Sequence, residues 1–122
     1  MSRYKASMTL KKSQIEKLYA GSIDMHVHVA PDPEWDRRLN TLETAQYAAE
    51  GKMGGFVAKS FFYPTTTESL IVDSLIEDTT VWGSVTIGYS TTGGLENAAV
   101  TIENHAKLGC KVVWFPAFDA EY

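Results

Sequence analysis

Ser22-Ile23-Asp24-Met25-His26-Val27-His28-Val29-Ala30-Pro31-Asp32 is the stretch on which the rest of the chain depends. An apolar, largely β-branched run carries two of the three histidines one residue apart, then breaks at Pro31-Asp32-Pro33. Side chains alternate faces along a strand, so Asp24, His26 and His28 are expected on one face and Ile23, Met25, Val27 and Val29 on the other. The apolar flanks predict an otherwise buried strand. Burying imidazoles without partners costs on the order of several kcal/mol, and one divalent metal taking both ring nitrogens is the economical partner. The alternative is a half-exposed strand whose polar face meets water.

Outward from this strand the pattern alternates. Residues 1–8 have no periodicity and read as a solvated, positively charged tail. Ser13-Gln14-Ile15-Glu16 fits a capping box for a helix with Ile15, Leu18 and Tyr19 as its stripe, ended by Gly21. After the polar loop 34–40, Asn40 or Thr41 can cap a helix to about Glu50, with Leu42, Ala45 and Ala49 on one face. A strand is expected over 56–61. Pro64 and the box Thr65-Thr66-Thr67-Glu68 open a helix facing the core with Leu70, Ile71, Leu75 and Ile76. The third strand is expected from Val81 to Ile87. Past the loop 89–94, Leu95, Ala98, Ala99, Ile102 and Ala106 have helical spacing, and a fourth strand runs over 110–115.

Strands alternating with helices argue for right-handed βαβ units and a parallel sheet, an α/β fold. Ligands in such sheets bind at the carboxyl ends of the strands. His26, His28, Lys59, Gly93-Gly94 and Asp119 are all expected at that end. Taken alone, Lys59 can be a lysine snorkelling from a strand end and Asp119 a solvated carboxylate. His105, off the apolar stripe of its helix, reads as a boundary residue. The aromatic residues read mainly as core or rim, with Phe62 and Tyr63 able to wall a pocket.

Composition narrows the function classes. A chain of 122 residues, 44% apolar, has the size and core of one domain. A net charge of −4, with basic residues scattered outside the N-terminus, gives no nucleic-acid footprint. The one cysteine, Cys110, cannot form an internal disulfide, and no apolar run approaches the roughly 20 residues of a membrane span. No membrane partner and a reducing, cytoplasmic setting are expected.

Asp24-Met25-His26-Val27-His28 resembles the opening metal motif of the amidohydrolase superfamily, metal-dependent hydrolases built on a (β/α)8 barrel. Ile23 to Asp32, Gly55 to Lys59 with Tyr63-Pro64-Thr65, the Gly93-Gly94-Leu95 loop, and Lys111 to Pro116 with Asp119 look like the first half of an uncharacterised amidohydrolase-like family. The resemblance implies a parallel (β/α) half-barrel over 23–122, the first four strands of a TIM-barrel-like fold, preceded by a tail and helix over 1–22. It implies a divalent metal on His26 and His28, zinc first with manganese or iron as alternatives, and a metal-bound water attacking a small-molecule substrate. Asp24 would orient the imidazoles or pack beneath them, while Lys59 and Asp119 would be catalytic, Lys59 binding substrate charge or a metal-bound carboxylate and Asp119 serving as ligand or base. In the superfamily a bridging, carbamylated lysine usually comes from the fourth strand, whereas here a lysine ends the second.

A full barrel takes about 250 residues, so the chain is expected to be incomplete or to close as a homo-oligomer, two copies supplying eight strands. A non-catalytic metal-binding or assembly half-barrel is the reading from another class. A phosphoesterase of the polymerase-and-histidinol-phosphatase type also opens with HxH, but further metal-binding histidines are lacking. A cupin is disfavoured by the alternating helices.

Overall fold

The computed structural model describes residues 9–117 and 120. The fold is mixed α/β, with every strand pairing parallel. In chain order the elements are α1 (Lys12–Tyr19), β1 (Ile23–His28), α2 (Thr41–Glu50), β2 (Gly55–Lys59), α3 (Thr66–Leu75), β3 (Thr80–Trp82), β4 (Ser84–Thr86), α4 (Tyr89–Thr92), a 3-10 turn (Leu95–Asn97), α5 (Ala98–Lys107) and β5 (Val112–Trp114). One sheet has the order β1-β2-β3, and a second pairs β4 with β5. No barrel closes among the described residues.

The expected third strand is therefore two short ones, divided at Gly83. A Cβ at Gly83 would collide with the backbone of Thr66, so only glycine lets the first turn of α3 come this close to the sheet. The neighbouring Thr65 side chain enters the opening between β2 and β4. Its hydroxyl donates to Ala58 O at 2.7 Å and accepts from Ser84 N at 2.9 Å. Ser84 Oγ donates to the same Ala58 carbonyl at 2.6 Å, and Thr86 Oγ1 donates to Ser60 O at 2.8 Å. Thr65, Ser84 and Thr86 are buried, so hydroxyls supply bridges here that a continuous ladder would draw from the backbone.

That arrangement fixes how α3 is turned. Thr66, Ser69 and Val72 are its buried residues, while Leu70, Ile71 and Leu75, expected in the core, are exposed. Small side chains next to Gly83 take precedence over the larger apolar ones because the distance from helix to sheet is short. Thr65 is accordingly not the side-chain cap that its box suggested. The cap of α2 is Asn40, which accepts from Glu43 N at 2.9 Å while Glu43 Oε2 accepts from Asn40 N. Its buried residues are Thr41, Ala45 and Ala48, a face rotated from the expected Leu42, Ala45 and Ala49. The start of α1 lies two residues before the expected Ser13: Lys11 is the N-cap, its N–H bonded to Gln14 Oε1, and no residue of α1 is buried. The core is Val29, Ala45, Ala48, Phe56, Ala58, Val72 and Val81, with Val27, Met53 and Ile76 packed on it.

β1 departs most from expectation. It is an edge strand on which Ile23 is 49% and Met25 54% exposed; no residue of the strand expected to be buried is so, and burial begins just past it at Val29. Its register against β2 slips between Asp24 and Val27: Asp24 lies opposite Phe56, whereas Val27 lies opposite Ala58 and His28 opposite Lys59. One extra residue in β1 reverses the facing, since partners in register share a face. Asp24 accordingly points to the helix side, where it lines a concavity with Val27, Phe56, Tyr47 and Ala48, and does not share the face of His26 and His28.

Thr65→Val keeps the volume and removes the bridging hydroxyl. Buried Ser84 N then loses its acceptor while Ala58 O keeps only Ser84 Oγ, and unfolding free energy measured in urea should fall by about 1–3 kcal/mol. Unchanged stability would show that the hydroxyl bridge does not hold β2 to β4.

Candidate functional site

The site is assembled at the carboxyl ends of β1, β2 and β5. The bulge in β1 is closed by Asp24 Oδ1, which accepts from His26 N at 3.0 Å, so Asp24 sets where the following imidazole emerges. His26 Nε2 and His28 Nε2 converge to 3.1 Å. In the next strand the register puts Lys59 opposite His28, with Lys59 Nζ 3.5 Å from His26 Nε2. Lys59 is 6% exposed. Its ammonium lies over two aromatic faces, 4.6 Å from the Phe61 ring centroid and 4.5 Å from that of Trp114. Such contacts are worth about 0.5–2 kcal/mol each when desolvated.

The same two rings hold the imidazoles. His26 packs on Trp114 at 4.6 Å and His28 on Phe61 at 4.9 Å. Phe61 and Trp114 are therefore the site residues that the sequence reading missed. Trp114 is the last residue of β5, and Phe61 lies two residues beyond Lys59.

A loop over 31–39 stands beside them. Ala30 N donates to Leu39 O and Ala30 forms a parallel bridge with Asn40, closing the loop at its base. Inside it Asp32 Oδ1 accepts from Glu34 N at 2.9 Å and Trp35 N at 3.1 Å, while Oδ2 pairs with Arg37 Nε at 2.8 Å. Burial pushes the Asp32 carboxyl up, but the bonds from Glu34 N, Arg37 and Trp35 N together hold it below the ordinary aspartate value. Arg37 in turn lies over the Trp35 ring at 4.9 Å. Tyr63 Oη donates to Pro31 O at 2.7 Å, tying this loop to the one after β2.

Electrostatics set the state of the imidazoles. Burial, then Lys59, lowers the His26 pKa, against an opposing pull from Asp24. Burial lowers His28 further, to about 4, with Arg37, Lys59 and His26 adding to it and Asp32 opposing. Burial also lowers Lys59. Both imidazoles are thus neutral at pH 7 and carry lone pairs.

Not every expected site residue joins this cluster. Asp119 lies outside the described residues. Gly93 and Gly94 have φ of +71° and +92° and form a local turn, with Gly93 O accepting from Asn97 Nδ2 and Gly94 beside Tyr89. His105 sits half-buried in α5, as expected of a boundary residue. Among the described residues no group of three His, Cys, Asp or Glu side chains is placed to hold a metal ion.

Fold and site together define a parallel α/β protein with a neutral imidazole pair and a buried lysine at the carboxyl ends of its strands. Residues 21–122 match a family of unknown function, DUF6282, and the chain belongs to that family. No curated protein and no solved structure matches the chain. Among the described residues no helix is long and apolar enough to cross a membrane.

In an NMR pH titration His28 should protonate near pH 4, well below 6.5. The folded value is the depressed one, so the unfolded chain takes up this proton first as pH falls. Stability should therefore decline as pH drops from about 6.5 through about 4 and level off below. A His28 titration at 6.5 or above would show that the ring is not held desolvated.

Proposed function

We propose that this chain is a metal-dependent hydrolase of the amidohydrolase type, with His26 and His28 as its metal ligands and a small molecule as its substrate. The observation that carries this reading is the convergence of the two Nε2 atoms to 3.1 Å. Nitrogens each about 2.0–2.1 Å from a tetrahedral zinc ion stand roughly 3.3 Å apart, so the pair fits one ion with little adjustment. Neutral rings also suit the role, since a metal needs the unprotonated nitrogen. His28 Nδ1 is buried without a hydrogen-bond partner among the described residues, so the ring lacks the usual brace on its far nitrogen. The described residues supply two nitrogen donors where catalytic zinc commonly takes three protein ligands.

Bound zinc, or manganese or iron in its place, would supply Lewis acidity and a water with a pKa near 7. The chain's own residues have separate tasks. Asp24 holds the bulge that aims His26, and Phe61 and Trp114 pack the imidazoles and exclude water from one side. Lys59 offers a positive charge beside the reacting centre for the substrate or for a carboxylate.

The half-barrel reading has its own support. β1, β2 and β3 pair parallel in chain order and β4 pairs parallel with β5, as successive strands of a (β/α)8 barrel do. The apolar residues left open on the β1 edge, Ile23 and Met25, and near β5, Val113 and Phe115, favour closure by a second copy. Such a dimer gives the mass of two chains in light scattering at micromolar concentration, and a stable monomer there would contradict it. A non-catalytic metal-binding half-barrel is the second reading, favoured by the two-donor set.

Elemental analysis of protein purified without added metal tests the first reading. Near-stoichiometric zinc, manganese or iron should be present and should vanish in His26→Ala/His28→Ala. Hydrolysis of amide and ester substrates that depends on the metal separates the enzyme from the scaffold. Folded, metal-free wild-type protein that takes up no added zinc would overturn both.

A further inference from the structure

The slip in β1 leaves a carboxylate on the side of the strand away from the imidazoles. Asp24 lies opposite Phe56 and His28 opposite Lys59. Phe56 and Lys59 stand three residues apart on β2, so their partners face opposite ways. On the Asp24 side lies a cavity of about 330 Å³, within the usual range for small-ligand sites. Val27, Ala48 and Phe56 give it an apolar floor, the last two buried, and the half-exposed Tyr19 of α1 and Tyr47 of α2 complete its walls.

The polar groups of this cavity select for a cation. Asp24 Oδ1 accepts from His26 N at 3.0 Å, and Oδ2 bonds to no other described residue. Thr44 already donates its hydroxyl proton to Asn40 O, and among the described residues no lysine, arginine or histidine lines the cavity. An anion would meet the carboxylate with no positive charge to balance it. A metal ion is equally ill served, because hard cations collect several oxygens and here a single carboxylate stands over hydrocarbon. An organic cation suits both parts: its ammonium meets the carboxylate oxygen through a charge-assisted hydrogen bond, and its hydrocarbon covers the floor.

We infer that the hollow between α1, β1 and α2 is a second binding site, taking a small primary ammonium that carries an apolar ring. Asp24 is its charge partner and Phe56 its apolar floor. The site does not depend on the hydrolase reading, since neither imidazole lines it. It meets the imidazole side through one bond, because the carboxylate that holds the ligand is the one that closes the bulge at His26 N. Occupancy is therefore readable at the His26 amide.

Titration with 2-phenylethylammonium and with its uncharged counterpart 2-phenylethanol tests the site, by calorimetry for affinity and by amide NMR for location. The ammonium should bind about tenfold or more tighter than the alcohol, weakening as sodium chloride is raised. It should also shift the amides of His26, Ala48 and Phe56. Asp24→Asn keeps an oxygen for His26 N and removes the charge, so it should abolish most of the preference and leave the alcohol unchanged. Tyr47→Ala, at an exposed position, should weaken both probes. Equal binding of the two probes by the wild-type chain, or no binding of the ammonium at millimolar concentration, would overturn the inference. So would amide shifts confined to residues outside the cavity. An ammonium preference that survives Asp24→Asn and falls in Glu43→Gln/Glu50→Gln would overturn it as well, because those two carboxylates line a separate hollow along α2.

Discussion

One additional residue in β1 determines what the site contains. Without the slip between Asp24 and Val27, the carboxylate would share a face with the two imidazoles, and a three-donor set would lie along one strand. With it, Asp24 turns toward α2 and closes the bulge by accepting from His26 N, while His26 and His28 stay on the face that Lys59 shares. A strand side chain has only two faces to choose from, so a single insertion suffices to convert a candidate ligand into a backbone brace. The edge position of β1 permits this, because a bulge there disturbs one ladder and not two.

The second constraint lies one strand away. Close approach of α3 to Gly83 splits the third strand, and the hydroxyls of Thr65, Ser84 and Thr86 take over the bridging. Buried polar bridges of this kind are costly to leave unsatisfied, so they fix the rotation of α3 and the exit direction of β2. That direction carries Lys59 to His26 and Phe61 to His28. Packing beneath the sheet and chemistry above it are thus joined through Ala58, whose carbonyl accepts from Thr65 and Ser84.

Much of this was legible in the residues. Alternation of strand and helix gave the parallel α/β order, and Asn40, one of the two candidate caps, starts α2. His26, His28 and Lys59 were legible as residues of one end because strand ends are readable from proline and glycine. What was not legible depended on distance between elements. Hydrophobicity placed Leu70, Ile71 and Leu75 in the core, but a helix held tightly against Gly83 admits only Thr66, Ser69 and Val72. Period-two reading placed Asp24 with the histidines, and a bulge leaves no composition signal. The aromatic partners Phe61 and Trp114 were counted as core or rim because nothing in a ring's sequence position distinguishes packing on an imidazole from packing on a leucine.

A metal site here depends on two neutral imidazoles meeting at a point that one ion can occupy. Anomalous diffraction at the zinc edge, from crystals of the chain grown with equimolar zinc, examines that point directly. One peak is expected about 2.0–2.1 Å from both His26 Nε2 and His28 Nε2, with Asp24 still bonded to the His26 amide. A map with no peak there, and the two rings hydrogen-bonded to each other, would contradict it.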